Sequence, residues 1–158
     1  MRVGTALSML VLSFGLAACG PVERIDRAGE PGAAPENLAF DAAGLQSADL
    51  DRGEILSLAC QACHPLMPGD KHNIGPNLYG VFGRSAASAE GFEYSQVLAD
   101  SGLIWSAQLL DAWLADPAGF LPGNNMAFAG YRAIGDRSDL IAFLMVATGA
   151  DPDAGQRE

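Results

Sequence analysis

Residues 60–64 read CQACH. Two thiols and an imidazole fall within five positions of a 158-residue chain whose only other cysteine is Cys19. On a helix, Cys60 and Cys63 sit at i and i+3, on one face, with His64 one position beyond. Such a cluster suits a disulfide, a redox dithiol, half a zinc site or a covalent attachment point. The flanking sequence discriminates between them.

Upstream, Arg2 is the only charge before an apolar run at 3–18, VGTALSMLVLSFGLAA. At 16 residues the run falls short of the roughly 20 that a membrane-spanning helix needs. A basic start followed by an apolar core is the layout of a secretory signal. It closes on Leu16-Ala17-Ala18-Cys19, which resembles a bacterial lipobox, whose cysteine is acylated and becomes the first mature residue. The alternatives are an uncleaved anchor or a plain cysteine within a signal. Residues 1–18 are read as a lipoprotein signal peptide, and Cys19 as a lipidation site that ties the chain to a bilayer. Residues 19–46 hold that cysteine and a tether rich in Pro, Gly, Ala and charge, with no apolar period. As a flexible coil its span is about 30 Å.

The chain carries 9 Lys and Arg against 19 Asp and Glu, a formal charge of −10. No basic patch offers a footing for nucleic acid or for anionic lipid headgroups.

Downstream, one domain runs from 47 to 149, followed by a tail at 150–158. Ser47 or Asp49 can cap a first helix carrying Ile55, Leu56 and Ala59 towards CQACH. Residues 64–92 are too rich in Pro and Gly for a long regular element. A short helix is expected within 93–101. Ser106 opens another, with Leu109, Leu110, Trp113 and Leu114 at helical spacing and a stop at Pro117. The last helix takes Asp136 as N-cap and Asp139 at N3. Leu140, Phe143, Leu144 and Ala147 line its face, and Gly149 ends it. No segment alternates as a strand, so the expected class is all-α.

A zinc site needs about four ligands, and after Cys60, Cys63 and His64 only His72 is near enough to add one. A thioredoxin-like dithiol wants a βαβ context, which is missing. A disulfide leaves His64 unexplained. C-x-x-C-H is also the attachment signature of c-type haem, with two thioethers to the porphyrin and the histidine on iron. That reading needs a sixth ligand. Met67 lies too close to His64 in sequence to reach the opposite haem face, and Met145 lies in a helix where packing suffices. Met126 lies in FLPGNNMAFAGY, a loop able to bend a thioether inward, although its local sequence also fits a packing role.

CQACH, GPNLYGVFGR (75–84), GFEYS (91–95), Trp105 and DPAGFLPGNNMAFAG (116–130) together resemble class I c-type cytochromes of the mitochondrial cytochrome c and bacterial cytochrome c2 group. The likeness covers roughly 50–148. It implies a single-domain fold wrapped around one covalent haem c. It also implies haem attachment at Cys60 and Cys63, and iron ligation by His64 and Met126. By the same likeness the Pro76 carbonyl accepts the Nδ1–H of His64. Arg84, Tyr94, Trp105 and Asn124 match positions near the haem propionates, and Phe128 matches an aromatic beside the haem edge. His72 is read as a solvated loop residue.

The sequence departs from that group in several places. Trp113 stands where a tyrosine usually lies near the methionine sulfur, and an indole donates but cannot accept. Leu98 replaces a usual asparagine, and Asn124 a threonine. Lys71 is the only lysine, so docking through a ring of lysines is not expected. Taken with the lipobox at Cys19, the resemblance implies a lipid-anchored electron carrier and not an enzyme: a monomer on the periplasmic side of a bacterial membrane. It would pass single electrons between membrane-bound respiratory or photosynthetic donor and acceptor complexes. The alternatives are an accessory haem subunit of an oxidase or dehydrogenase complex, and a haem peroxidase.

Overall fold

The computed structural model describes residues 42–150. The expected signal peptide, Cys19, most of the tether and the tail from 151 lie outside the described residues. Six helices follow in chain order: α1 Ala42–Gln46, α2 Leu50–Gln61, α3 Gln96–Ala99, α4 Ala107–Ala115, α5 Pro117–Phe120 and α6 Ile134–Ala147. Among the described residues there is no strand, only a single antiparallel bridge between Ser85 and Ile104. None of these helices is long and apolar enough to cross a membrane. The all-α expectation holds.

The frame is the α2–α6 pair, against which α1 and α4 pack. Asp49 caps α2, its carboxylate accepting from the Arg52 N–H. The face α2 buries is Gly53, Ser57 and Cys60, not the apolar set expected from sequence. Ile55 is 68% exposed and Ala59 is exposed, while Leu56 is half-buried. The reason is proximity. A Cβ at Gly53 would meet the Asp139 carbonyl and lie 2.7 Å from the Phe143 Cβ. Small residues bring the two backbones together, and bulky ones are turned outward. Arg52 then pairs with Asp136 and Asp139 of α6, and Asp139 accepts from the Asp49 N–H at 2.9 Å.

Two boundaries differ from expectation. α1 falls inside the stretch read as tether, and its Leu45 packs against the core. α6 starts at Ile134 with Ala133 as N-cap, so Asp136 lies inside the first turn. There its charge favours the positive end of the helix dipole without capping. Pro117 does not simply stop α4, because Asp116 re-caps the chain through the Gly119 N–H at 3.0 Å and Pro117 begins α5. Proline suits that position because its missing N–H would be unpaired anyway. At the other end, Gly149 takes φ +74°. Gly149 N–H donates to Val146 and Ala150 N–H to Met145, the two bonds of a Schellman ending.

Leu140, Ile141 and Leu144 of α6 are essentially inaccessible, and Leu109, Leu110, Trp113 and Leu114 of α4 complete the core with Val81, Trp105 and Leu121. Leu140 and Leu144 were read from the period of α6, whose Phe143 and Ala147 pack against that core half-buried. The loops are fastened back to this frame. Gly83 N–H donates to Trp105 O, Trp105 N–H to Arg84 O and Ala86 N–H to Leu103 O. Gly80 N–H reaches Thr148 O at 2.8 Å.

Candidate functional site

Between the helices and loops lies a cavity of about 320 Å³, mostly apolar in its lining. All nine residues singled out from sequence as pocket residues line it: Cys60, Cys63, His64, Pro76, Arg84, Tyr94, Trp105, Asn124 and Met126. Phe128 lines it as well.

The floor is built by the end of α2. The Cys60 carbonyl accepts from both Cys63 N–H and His64 N–H, at 3.0 and 2.8 Å. Helical bonding thus continues past Gln61 and sets the two thiols and the imidazole at helical spacing. Cys60 and Cys63 are not joined to each other in a disulfide. Burial pushes the Cys60 thiol up to about 11, and the nearby Cys63 adds to the shift. No group of three or more His, Cys, Asp or Glu among the described residues is placed to hold a metal ion, so the geometry gives no support to zinc.

His64 is locked. Pro76 O can only accept, so the ring contact at 2.8 Å puts the proton on Nδ1 and leaves Nε2 with its lone pair. Burial holds the imidazolium below its ordinary 6.5, against an upward pull from the Pro76 carbonyl. The ring is therefore neutral at pH 7, as a metal ligand must be. Gly75 lies flat against it: a Cβ there would fall within 2.7 Å of His64 Nε2 and closer still to other ring atoms.

Met126 reaches the cavity from the loop after α5. Its sulfur accepts from Trp113 Nε1–H at 3.2 Å. That indole is wedged edge-on between Trp105 and Phe120. The departure at Trp113 thus puts a donor on the sulfur. Asn124 braces the same loop. Its amide donates to Pro117 O at 2.7 Å and Leu121 O at 2.8 Å, and its oxygen accepts from Met126 N–H. Both amide hydrogens are thus engaged at the end of α5, while Asn124 still lines the cavity.

On the polar wall, Arg84 donates to the carbonyls of Tyr79 and Asn77 at 3.1 Å each, which fixes its guanidinium while leaving other donors open. Burial raises the Tyr94 phenol above its ordinary 10.0, partly opposed by a backbone hydrogen bond at Ala89 and by Arg84. It therefore remains a donor at neutral pH. Ser95 was not singled out, although it closes the GFEYS stretch. Its hydroxyl is the one buried side-chain polar atom left without a partner among the described residues, and it lines the cavity. An unmet buried hydroxyl costs about 1–3 kcal/mol, a penalty that an acceptor brought by a cofactor would remove.

His72 is not the solvated loop residue expected. Its Nδ1 accepts from Asn77 N–H at 2.9 Å, its Nε2 donates to Glu90 O at 2.8 Å, and its ring meets Phe92 edge-on. It ties two loops of the cavity wall together, which no local pattern in the sequence reveals.

No family model matches the chain. Among curated proteins it is 39% identical over 106 residues to cytochrome c of Stellaria longipes, covering 66% of this chain and 98% of that one. The chain belongs to the cytochrome c family. It is also 37% identical over 107 residues to cytochrome c2 of Blastochloris viridis, covering 68% of this chain and 84% of the relative. A cytochrome c homolog of Bradyrhizobium diazoefficiens is 33% identical over 156 residues, which span 90% of this chain and 85% of the homolog. Class I c-type cytochromes carry one covalent haem c and are electron carriers, not enzymes. The cavity fits that cofactor on its own terms: two thiols beside a neutral imidazole, a thioether, an apolar wall, and an unpartnered hydroxyl and a fixed guanidinium in the lining.

Proposed function

We propose that this cytochrome is a lipid-anchored, monohaem carrier of single electrons between membrane-bound partners on the periplasmic side of a bacterial membrane. The observation that carries the reading is the convergence on one apolar cavity of Cys60, Cys63, the Pro76-oriented His64 and Met126. Cys60 and Cys63 would hold the haem through thioethers, and His64 and Met126 would ligate its iron. The haem supplies the Fe(II)/Fe(III) couple. The protein supplies what tunes it. Histidine and methionine ligation raises the potential. The dry wall disfavours the extra charge of the oxidised state. Pro76 fixes the histidine ring, and Trp113 draws electron density from the thioether. Arg84, Tyr94, Trp105 and Ser95 supply donors for the propionates.

A redox titration of the purified holoprotein with its absorption spectrum tests this reading. The haem should resist acid–acetone extraction, and the oxidised protein should show the sulfur-to-iron band at the red edge. Met126→Ala should abolish that band, lower the potential and open the iron to imidazole. Extractable haem, or an unchanged Met126→Ala spectrum, would refute the assignment.

The anchor rests on the Leu16–Cys19 stretch. Three acyl chains hold a protein to a bilayer where one is only marginal. The tether then keeps a high local concentration near partner complexes, in place of steering by basic charge. Residues 47–148 hold five basic against eleven acidic residues, so a partner that presents acids would be repelled. Docking is read instead as neutral or apolar contact near Phe128. Cys19→Ser should block lipidation, leaving the protein either unprocessed or processed elsewhere without its lipid. Normal mass and retention would contradict the lipobox.

A further inference from the structure

The loop that carries Met126 leaves α5 after Phe120 and enters α6 at Ile134. Its near limb is braced by Asn124. Its far limb is held at Tyr131, whose N–H donates to Leu114 O at 2.8 Å and whose hydroxyl donates to Leu56 O at 3.0 Å, and by Arg137 in the first turns of α6. Arg137 Nη1 donates to the carbonyls of Tyr131 and Arg132, both at 2.8 Å. Its Nε donates to Asp111 Oδ1 at 2.6 Å and its Nη2 to Asp111 Oδ2 at 3.3 Å. Four of its five N–H donors are engaged. The Arg137 side chain is 7% exposed and that of Asp111 2%.

A buried ion pair is a poor device for stability alone, since apolar residues of similar volume often serve as well. What apolar residues lack is the directed grip on two carbonyls. Asp111 also lies on α4 two residues before Trp113, whose indole holds the Met126 sulfur. One rigid helix therefore fixes the loop directly at the sulfur and, through Leu114 O and Arg137, at the far limb. Gly130 makes this closeness possible. Its φ is +86°, and a Cβ there would run into the Ala115 carbonyl.

We infer that Arg137, aimed by Asp111, is a positioning residue for the sixth ligand, keeping Met126 in place against displacement by competing bases. This rests on the reading of Met126 as an iron ligand. Arg137→Lys keeps a positive charge facing Asp111 but has no planar fork to span two carbonyls and a carboxylate. In the ferric holoprotein, imidazole should bind this variant about tenfold more tightly than wild type, the scale of losing one charge-assisted hydrogen bond. Asp111→Asn retains an acceptor for Nε and should show a smaller gain. Leu45→Ala, which thins the contact of α1 with α6, is the control for general loosening. Compared at equal loss of melting temperature, Arg137→Lys should bind imidazole more tightly than Leu45→Ala does. Equal binding by the two, or no gain in Arg137→Lys, would overturn the proposal while leaving Met126 as ligand. A wild-type protein without the sulfur-to-iron band, or a Met126→Ala variant that keeps it, would remove the ligand reading and this proposal with it.

Discussion

His64 and Met126 reach one cavity by different means. His64 extends α2, positioned by main-chain bonds to Cys60 O and by contacts with Gly75 and Pro76 close in sequence. Met126 hangs on a loop with no helix of its own. Apart from one main-chain bond from Tyr131 to α4, side chains on α4 and α6, together with Asn124, hold it. A donor set by local backbone geometry should fail only when that geometry is blocked. A donor set by side chains should loosen by degrees as they are removed.

The largest effect should come from blocking the histidine side. Gly75→Val places branched carbons where the His64 ring lies. Overpacking costs about 1–3 kcal/mol at ordinary sites, and here it would displace the ring from the Pro76 carbonyl as well. Little holoprotein should accumulate, measured as covalent haem per polypeptide. Normal haem content with the native spectrum would show that the loop yields freely, and that His64 is no more rigidly placed than Met126.

The same contrast explains what the sequence discloses. CQACH is a local pattern, so the thiols and the imidazole were legible directly. Pro76, Arg84, Tyr94, Trp105 and Met126 came from likeness to a family, and all of them line the cavity. Gly75 and Ser95 were passed over, and the wired His72 was misread, because their roles are defined by partners elsewhere or by an unfilled valence. Asn124 lines the cavity too, but its bracing of the loop through Pro117 O and Leu121 O has no sequence signal. The helix face of α2 was misread for a related reason: Gly53, Ser57 and Cys60 leave no apolar period when small size is what the packing requires. The start of α6 was placed late because Asp136 looks like a cap, whereas Ala133 occupies that position.

A smaller, graded effect is expected on the methionine side. Trp113→Phe removes the one donor to the Met126 sulfur and makes the thioether a better donor to oxidised iron. The potential should fall. If the hydrogen bond differs by about 1 kcal/mol between oxidation states, the shift is about 40 mV. Trp113→Tyr restores a hydroxyl donor and should recover part of it. Equal potentials in Trp113→Phe and wild type would mean that the sulfur is held by loop packing alone, which would narrow the contrast with His64.

The smallest effect concerns the polar wall, which belongs to neither ligand. Burial raises the Tyr94 phenol above 10.0, and burial likewise raises Tyr131, with Asp136 adding to it. The unfolded chain loses these protons first as pH climbs past the ordinary value, while the folded chain still holds them. Above that point the unfolded state binds fewer protons, so stability falls with rising pH until the folded phenols also ionise. Below it these two groups contribute no pH dependence. Melting temperatures of the holoprotein taken between pH 8 and about 11 should therefore decline at the alkaline end. The decline should be shallower in Tyr94→Phe, which has no phenol to lose. Ligand displacement would instead follow the sulfur-to-iron band. An alkaline decline that tracks loss of that band, and is unchanged in Tyr94→Phe, would place the alkaline weakness on the loop of Met126 and not on the wall.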